Sequence, residues 1–111
     1  MAEKAVEVIE AEIIDDNNVV KLSKPLASGT DMLIFDFDKI TGFKLVKAAR
    51  EAKKDDPQMV VPALSQAYQA HVAAIAAGVK YEEILALNAI DFTAATVKVQ
   101  AFLLGAQDRT V

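Results

Sequence analysis

The stretch Met32-Leu33-Ile34-Phe35-Asp36-Phe37-Asp38 decides the fold class, because its apolar residues recur every second position and those that follow recur at helical spacing. Leu33, Phe35 and Phe37 fall on one face of an extended segment, and Ile34, Asp36 and Asp38 fall on the other. Upstream, Val19-Val20-Lys21-Leu22-Ser23 reads as a second strand limited by Pro25, with Ala27-Ser28-Gly29-Thr30-Asp31 as the turn between. Further back, Val6-Glu7-Val8-Ile9-Glu10 and Ile13-Ile14 are β-branched and loosely alternating, and Asp15-Asp16-Asn17-Asn18 is a turn cluster. A small antiparallel meander of two or three strands is the simplest arrangement. So small a sheet needs a helix on its apolar face.

Downstream the period changes. Thr41 suits a helix N-cap, and Phe43, Val46, Ala49 and Ala52 follow at helical spacing until Asp55-Asp56-Pro57. Pro62 suits the first turn of a second helix, with Leu64, Tyr68, Val72 and Ile75 as its stripe and Gly78 just past its end. Residues 81–87 form a short helix with Glu82 and Glu83 at its positive end. Asp91 is placed to cap the last helix, 91–104, whose stripe is Phe92, Ala95, Val99 and Phe102 and whose stop is Gly105. Strands first and helices after predict an α+β fold: an N-terminal antiparallel β-meander of two or three strands followed by three or four α-helices. The expected core is Leu33, Phe35, Phe37, Phe43, Val46, Leu64, Tyr68, Val72, Ile75, Leu85, Phe92, Val99 and Phe102.

The 111 residues suit one domain. Residues 1–18 form an acidic segment holding a candidate first strand, 19–107 the α+β domain, and 108–111 a tail. Charge is laid out in blocks: six acids against Lys4 over residues 1–16, and six cations against Glu51 over residues 39–54. Such runs usually mark solvated faces. The net charge of −4 argues against generic nucleic-acid binding. With no cysteine there is no disulfide, thiol nucleophile or thiolate metal site. Met1-Ala2-Glu3-Lys4-Ala5 lacks the basic start of a signal peptide. Residues 59–79 carry no Asp, Glu, Lys or Arg, which is long enough to span a bilayer. They include Pro62, Ser65, Gln66, Gln69 and His71 among alanines, so a helix outside the membrane is expected.

No motif carries catalysis. Asp36 and Asp38 share a strand face, but no Asp/Asn/Gly loop adds the oxygens that Mg²⁺ or Ca²⁺ needs. His71, the one histidine, has no serine in a nucleophile setting near it in sequence. The four glycines form no phosphate-binding loop. No cofactor and no metal are expected. Helices 81–87 and 91–104 have a short–turn–long layout like a helix-turn-helix, the alternative reading being a small DNA-binding regulator. Lys98 and Gln100 are the only base-reading side chains there, set among Ala, Thr and Val. The neutral run 59–79 is the most unusual feature. Gln66, Gln69, Ala70, Ala73, Ala76 and Ala77 stand where a surface helix would carry charge, which fits either a central helix or an interface.

The order of these segments resembles the phage tail assembly chaperones, the small tail proteins of the E/41/14 type. The resemblance is carried by Val20-Lys21-Leu22-Ser23-Lys24-Pro25-Leu26, by Ala48-Ala49-Arg50-Glu51-Ala52, and by the run from Leu64-Ser65-Gln66-Ala67-Tyr68-Gln69 to Ala77-Gly78-Val79. Tyr81-Glu82-Glu83-Ile84-Leu85, Asp91-Phe92-Thr93 and Val99-Gln100-Ala101-Phe102-Leu103 continue it. It covers roughly residues 19–104. The acidic start is longer than the family's, and Asp36 and Asp38 stand where relatives often carry an Arg-containing strand. The resemblance implies a non-catalytic protein of the bacterial host's cytoplasm, absent from the mature virion. It would hold the long helical tape-measure protein soluble and bring tail-tube protein to it. A frameshifted longer form of the same chain and a homo-oligomer belong to the same expectation; nucleic acid and membrane do not. Gln66, Gln69, Ala70, Ala73, Ala76 and Ala77 are the expected contact residues.

Overall fold

A computed structural model describes residues 18–105. The segments read above at Val6–Glu10 and Ile13–Ile14, most of the Asp15–Asn18 turn cluster and the tail 108–111 lie outside the described residues, as does the boundary at 107.

β1 (Val19–Lys21) and β2 (Met32–Ile34) form a two-stranded antiparallel sheet, with Val20 opposite Leu33. Four helices follow: α1 (Gly42–Asp55), α2 (Gln66–Ala77), α3 (Tyr81–Leu85) and α4 (Ala89–Gly105). The fold is α+β, an antiparallel hairpin followed by helices. Val20, Leu33 and Phe35 point into the core, while Met32 and Ile34 face out. Burying Leu33 and Phe35 this fully contributes about 1.5–3 kcal/mol each.

β2 is shorter than its alternation predicts. It ends at Ile34, and Phe37–Lys39 forms a 3-10 turn. The Asp36 N–H leaves the sheet and donates to the Ala76 carbonyl at the end of α2, at 2.9 Å. Phe37 then stacks flat on Phe102 of α4, ring centres 4.1 Å apart. Asp36 and Asp38 consequently do not share a strand face.

Thr41 caps α1, its hydroxyl oxygen accepting from the Lys44 N–H at 3.3 Å. α1 buries Ala48 and Ala52, with Leu45 and Ala49 packed beside them. Phe43 and Val46, expected inside, are 80% and 58% exposed. The inward stripe is rotated toward the small side chains because α1 packs on the alanine-rich α2, and small contacts let two helices approach closely. A phenyl ring at that contact would hold them apart.

Pro62–Leu64 forms a 3-10 turn, and α2 starts after it with Ser65 as N-cap. Ser65 Oγ accepts from the Tyr68 N–H and donates to Asp56 Oδ2, tying the start of α2 to the end of α1. Leu64 thereby stays in the turn, exposed rather than in the core. Gly78 closes α2 at φ +72°, a left-handed position that suits glycine. In the five-residue α3, Ile84 is buried and Leu85 is not, a one-residue shift from the expected core. No described helix is long and apolar enough to cross a membrane.

Candidate protein-binding surface

α2 is the centre of the molecule, packed by α1, α3 and α4. That position explains its missing charges. Gln69, Ala70, Ala73 and Ala76 are buried, so four of the six expected contact residues are core. Gln66 is exposed and Ala77 half-buried. The correction has a simple cause: a helix covered on three sides can carry no charge, and alanines fill its narrow contacts. The Gln69 amide is satisfied there, donating to the Ala63 carbonyl at 2.7 Å and lying 3.4 Å from Gln100 Oε1.

The exposed apolar surface lies on α4 instead. Its inner side carries Ala95, Thr96 and Val99, with Phe92 and Leu103 half-buried. Its outer side carries Ile90, Val97 and Leu104, 78%, 54% and 39% exposed. These three are seven residues apart and so stack almost directly above one another, with Ala101 between them. The stripe runs about 21 Å along the helix axis. Asp91 is buried and Lys98 half-buried, so no charge interrupts it. The Pro62–Leu64 turn packs on α4, and on that connection Val60, Val61 and Leu64 are exposed around a shallow groove of ≈340 Å³. In the sequence the inner stripe of Phe92, Ala95, Val99 and Phe102 overlies the outer one, whose signal is the seven-residue repeat of Ile90, Val97 and Leu104.

Asp91 is not the cap of α4. Asn88 is, its side-chain oxygen accepting from the Asp91 N–H at 2.8 Å. Asp91 sits in the first turn and reaches the hairpin: its Oδ2 accepts from the N–H and the hydroxyl of Ser23 at 2.9 and 3.0 Å. Asn88 Nδ2 donates to the same hydroxyl at 2.7 Å. The Leu22-Ser23-Lys24-Pro25 and Asn88-Ala89-Ile90-Asp91 segments thus meet in one polar knot.

His71 lies on α2 against Tyr81, the rings parallel with centres 3.6 Å apart. The Tyr81 hydroxyl donates to Asp55 Oδ2 at 2.5 Å. Burial lowers the His71 pKa below its ordinary value, against the pull of Glu51, Asp55 and Glu82. Burial, then the Asp55 hydrogen bond, raises that of the Tyr81 phenol. Beside the imidazole is a groove of ≈310 Å³ lined by Lys44, Lys47, Ala48, Glu51 and Ile75, which offers it no hydroxyl to activate. Asp36 and Asp38 are both exposed, and no group of three or more acids or histidines among the described residues is placed to hold a metal. α3 and α4 are consecutive as a helix-turn-helix requires, but the exposed side chains of α4 are apolar apart from Thr93, and Gln100 faces Gln69.

Comparison with protein-family models, with curated proteins and with solved structures finds no match to this chain.

Proposed function

We propose that this chain is a non-catalytic holder of a helical protein partner, a phage or prophage tail assembly chaperone that binds the tape-measure protein and promotes assembly of the tail tube. The observation that carries the reading is the uncharged stripe of Ile90, Val97 and Leu104 on the outside of α4. Helical partners dock on such faces through anchors spaced at whole turns, and an uncharged stripe lets a partner approach without stripping water from ions. The likeness of residues 19–104 to the tail assembly chaperones supplies the identity of the partner. The host cytoplasm as its site of action, tail-tube protein as a second partner, and binding to a frameshifted longer form of the chain or to copies of itself belong to the same proposal.

Co-expression with a tape-measure protein from the same phage or prophage tests it. Val97→Glu should leave the thermal midpoint nearly unchanged, since surface substitutions typically act within about 0.5 kcal/mol, and should release the partner. Ala73→Glu places a carboxylate in the core and should unfold the chain, losing binding by a different route. Normal retention of the partner by a folded Ile90→Glu, Val97→Glu double variant refutes the α4 surface. Binding to duplex DNA with a steep salt dependence would favour a DNA-binding regulator instead.

A further inference from the structure

The outer face of α1 is a second surface, chemically unlike the first. Phe43 stands 80% exposed, with Val46 beside it. Lys47, Arg50, Lys53 and Lys54 continue the same side of the helix at three- and four-residue spacing and are all exposed. Glu51 pairs with Lys54 at 3.0 Å. Among the described residues, Lys47, Arg50 and Lys53 have no ion pair. Two bare apolar side chains ringed by cations suit an acidic segment with apolar residues interleaved.

Such a segment is in the chain itself. Residues 1–17 carry Glu3, Glu7, Glu10, Glu12, Asp15 and Asp16 against Lys4, interleaved with Val6, Val8, Ile9, Ile13 and Ile14. The hairpin delivers it to the right place. The Asn18 carbonyl accepts from Phe35 N–H at 2.8 Å, and the next residue, Asp36, bonds Ala76 near the end of α2. Ile75 lines one groove with Lys44, Lys47 and Ala48, so the end of α2 adjoins the first half of α1. The segment therefore joins the sheet beside the start of the basic face. Seventeen residues reach up to about 60 Å when extended, and α1 is only about 21 Å long. Attachment to the same chain also gives the segment an effective concentration on the order of millimolar, which decides for the same molecule over a second copy.

From this we infer that residues 1–17 dock on the outer face of α1 of their own chain, covering Phe43 and Val46 and setting their carboxylates against Lys47, Arg50 and Lys53. The inference is independent of the proposed function and would stand with any partner on α4. It also means that an outside acidic, apolar ligand meets α1 only by displacing the chain's own segment.

The absence of cysteine allows a clean test on the full chain. Val8→Cys carries a nitroxide, and relaxation enhancement is read on backbone amides. Strong enhancement over residues 43–54, and little over 90–104, is expected at low salt. It should fall by about threefold or more near 1 M salt, where the screening length is about 3 Å. Glu7→Lys, Glu10→Lys and Glu12→Lys together should abolish it, as should Lys47→Glu with Arg50→Glu, both on a folded chain. Labelled unenriched chain mixed with unlabelled ¹⁵N chain should show no transfer. Uniform enhancement, enhancement centred on α4, insensitivity to either charge reversal, or enhancement only in the mixed sample overturns the inference.

Discussion

Ser23 and Asp91 hold the two halves of the molecule together through one carboxylate. Asp91 is 4% exposed and accepts two hydrogen bonds from Ser23, while Asn88 bonds both residues. Asp91→Ala leaves the Ser23 N–H and hydroxyl without that acceptor, which should cost about 1–3 kcal/mol in denaturant unfolding. Asp91→Asn keeps an acceptor oxygen and should cost less; equal losses for the two variants would show that the carboxylate's hydrogen bonds contribute little. Asp91 looked like a cap because an acid stood before an apolar helical run. Its partner is sixty-eight positions away, and no local pattern marks such a pair.

At the scale of elements, the five-residue α3 is too short to hold itself and depends on its neighbours. Tyr81 supplies two attachments, a ring stacked on His71 of α2 and a hydroxyl bonded to Asp55 of α1. Because burial lowers the His71 pKa in the folded chain, the unfolded chain takes up its proton first as pH falls. Stability should therefore drop as pH decreases from the unfolded value near 6.5 toward the lowered folded value, and be fully present above 6.5. His71→Phe keeps a flat ring and removes the titration. Its stability should vary less with pH across that window; parallel curves for the two proteins would refute the coupling. The helices themselves were legible in sequence. Thr41, Pro62 and Gly78 fall at or next to helix or turn boundaries, because caps and breakers act within a few residues. The faces were less legible. On α1 Phe43 and Val46 point outward while Leu45 turns in, and on α4 apolar residues line both sides, so periodicity alone could not say which side meets the core. Four of the six expected contact residues, Gln69, Ala70, Ala73 and Ala76, are buried for the same reason in reverse. A helix free of charge is what both an interface and a core demand, and the packing of α1, α3 and α4 around α2 decided it.

Taken as a whole, the molecule has its α-helices packed largely around α2, with the hairpin laid against two of them. Phe37 stacks on Phe102, Asp36 bonds Ala76, and Ser23 bonds Asp91, so β1 and β2 pair with each other but are fixed to the helices by residues after position 70. Chains are made from the N-terminus, and contacts distant in sequence form only after the intervening loop closes. β1 and β2 leave the ribosome before α4 and must then wait for it to complete their docking. Stalled nascent chains ending before Asn88 should leave the hairpin open to protease, and those with residue 105 clear of the ribosome should protect it; early protection would mean that the hairpin closes unaided. The order of synthesis thus makes completion of α4 a checkpoint: a chain broken off before its apolar stripe exists also lacks the Asp91 and Phe102 contacts that hold the hairpin, and keeps only those to α2.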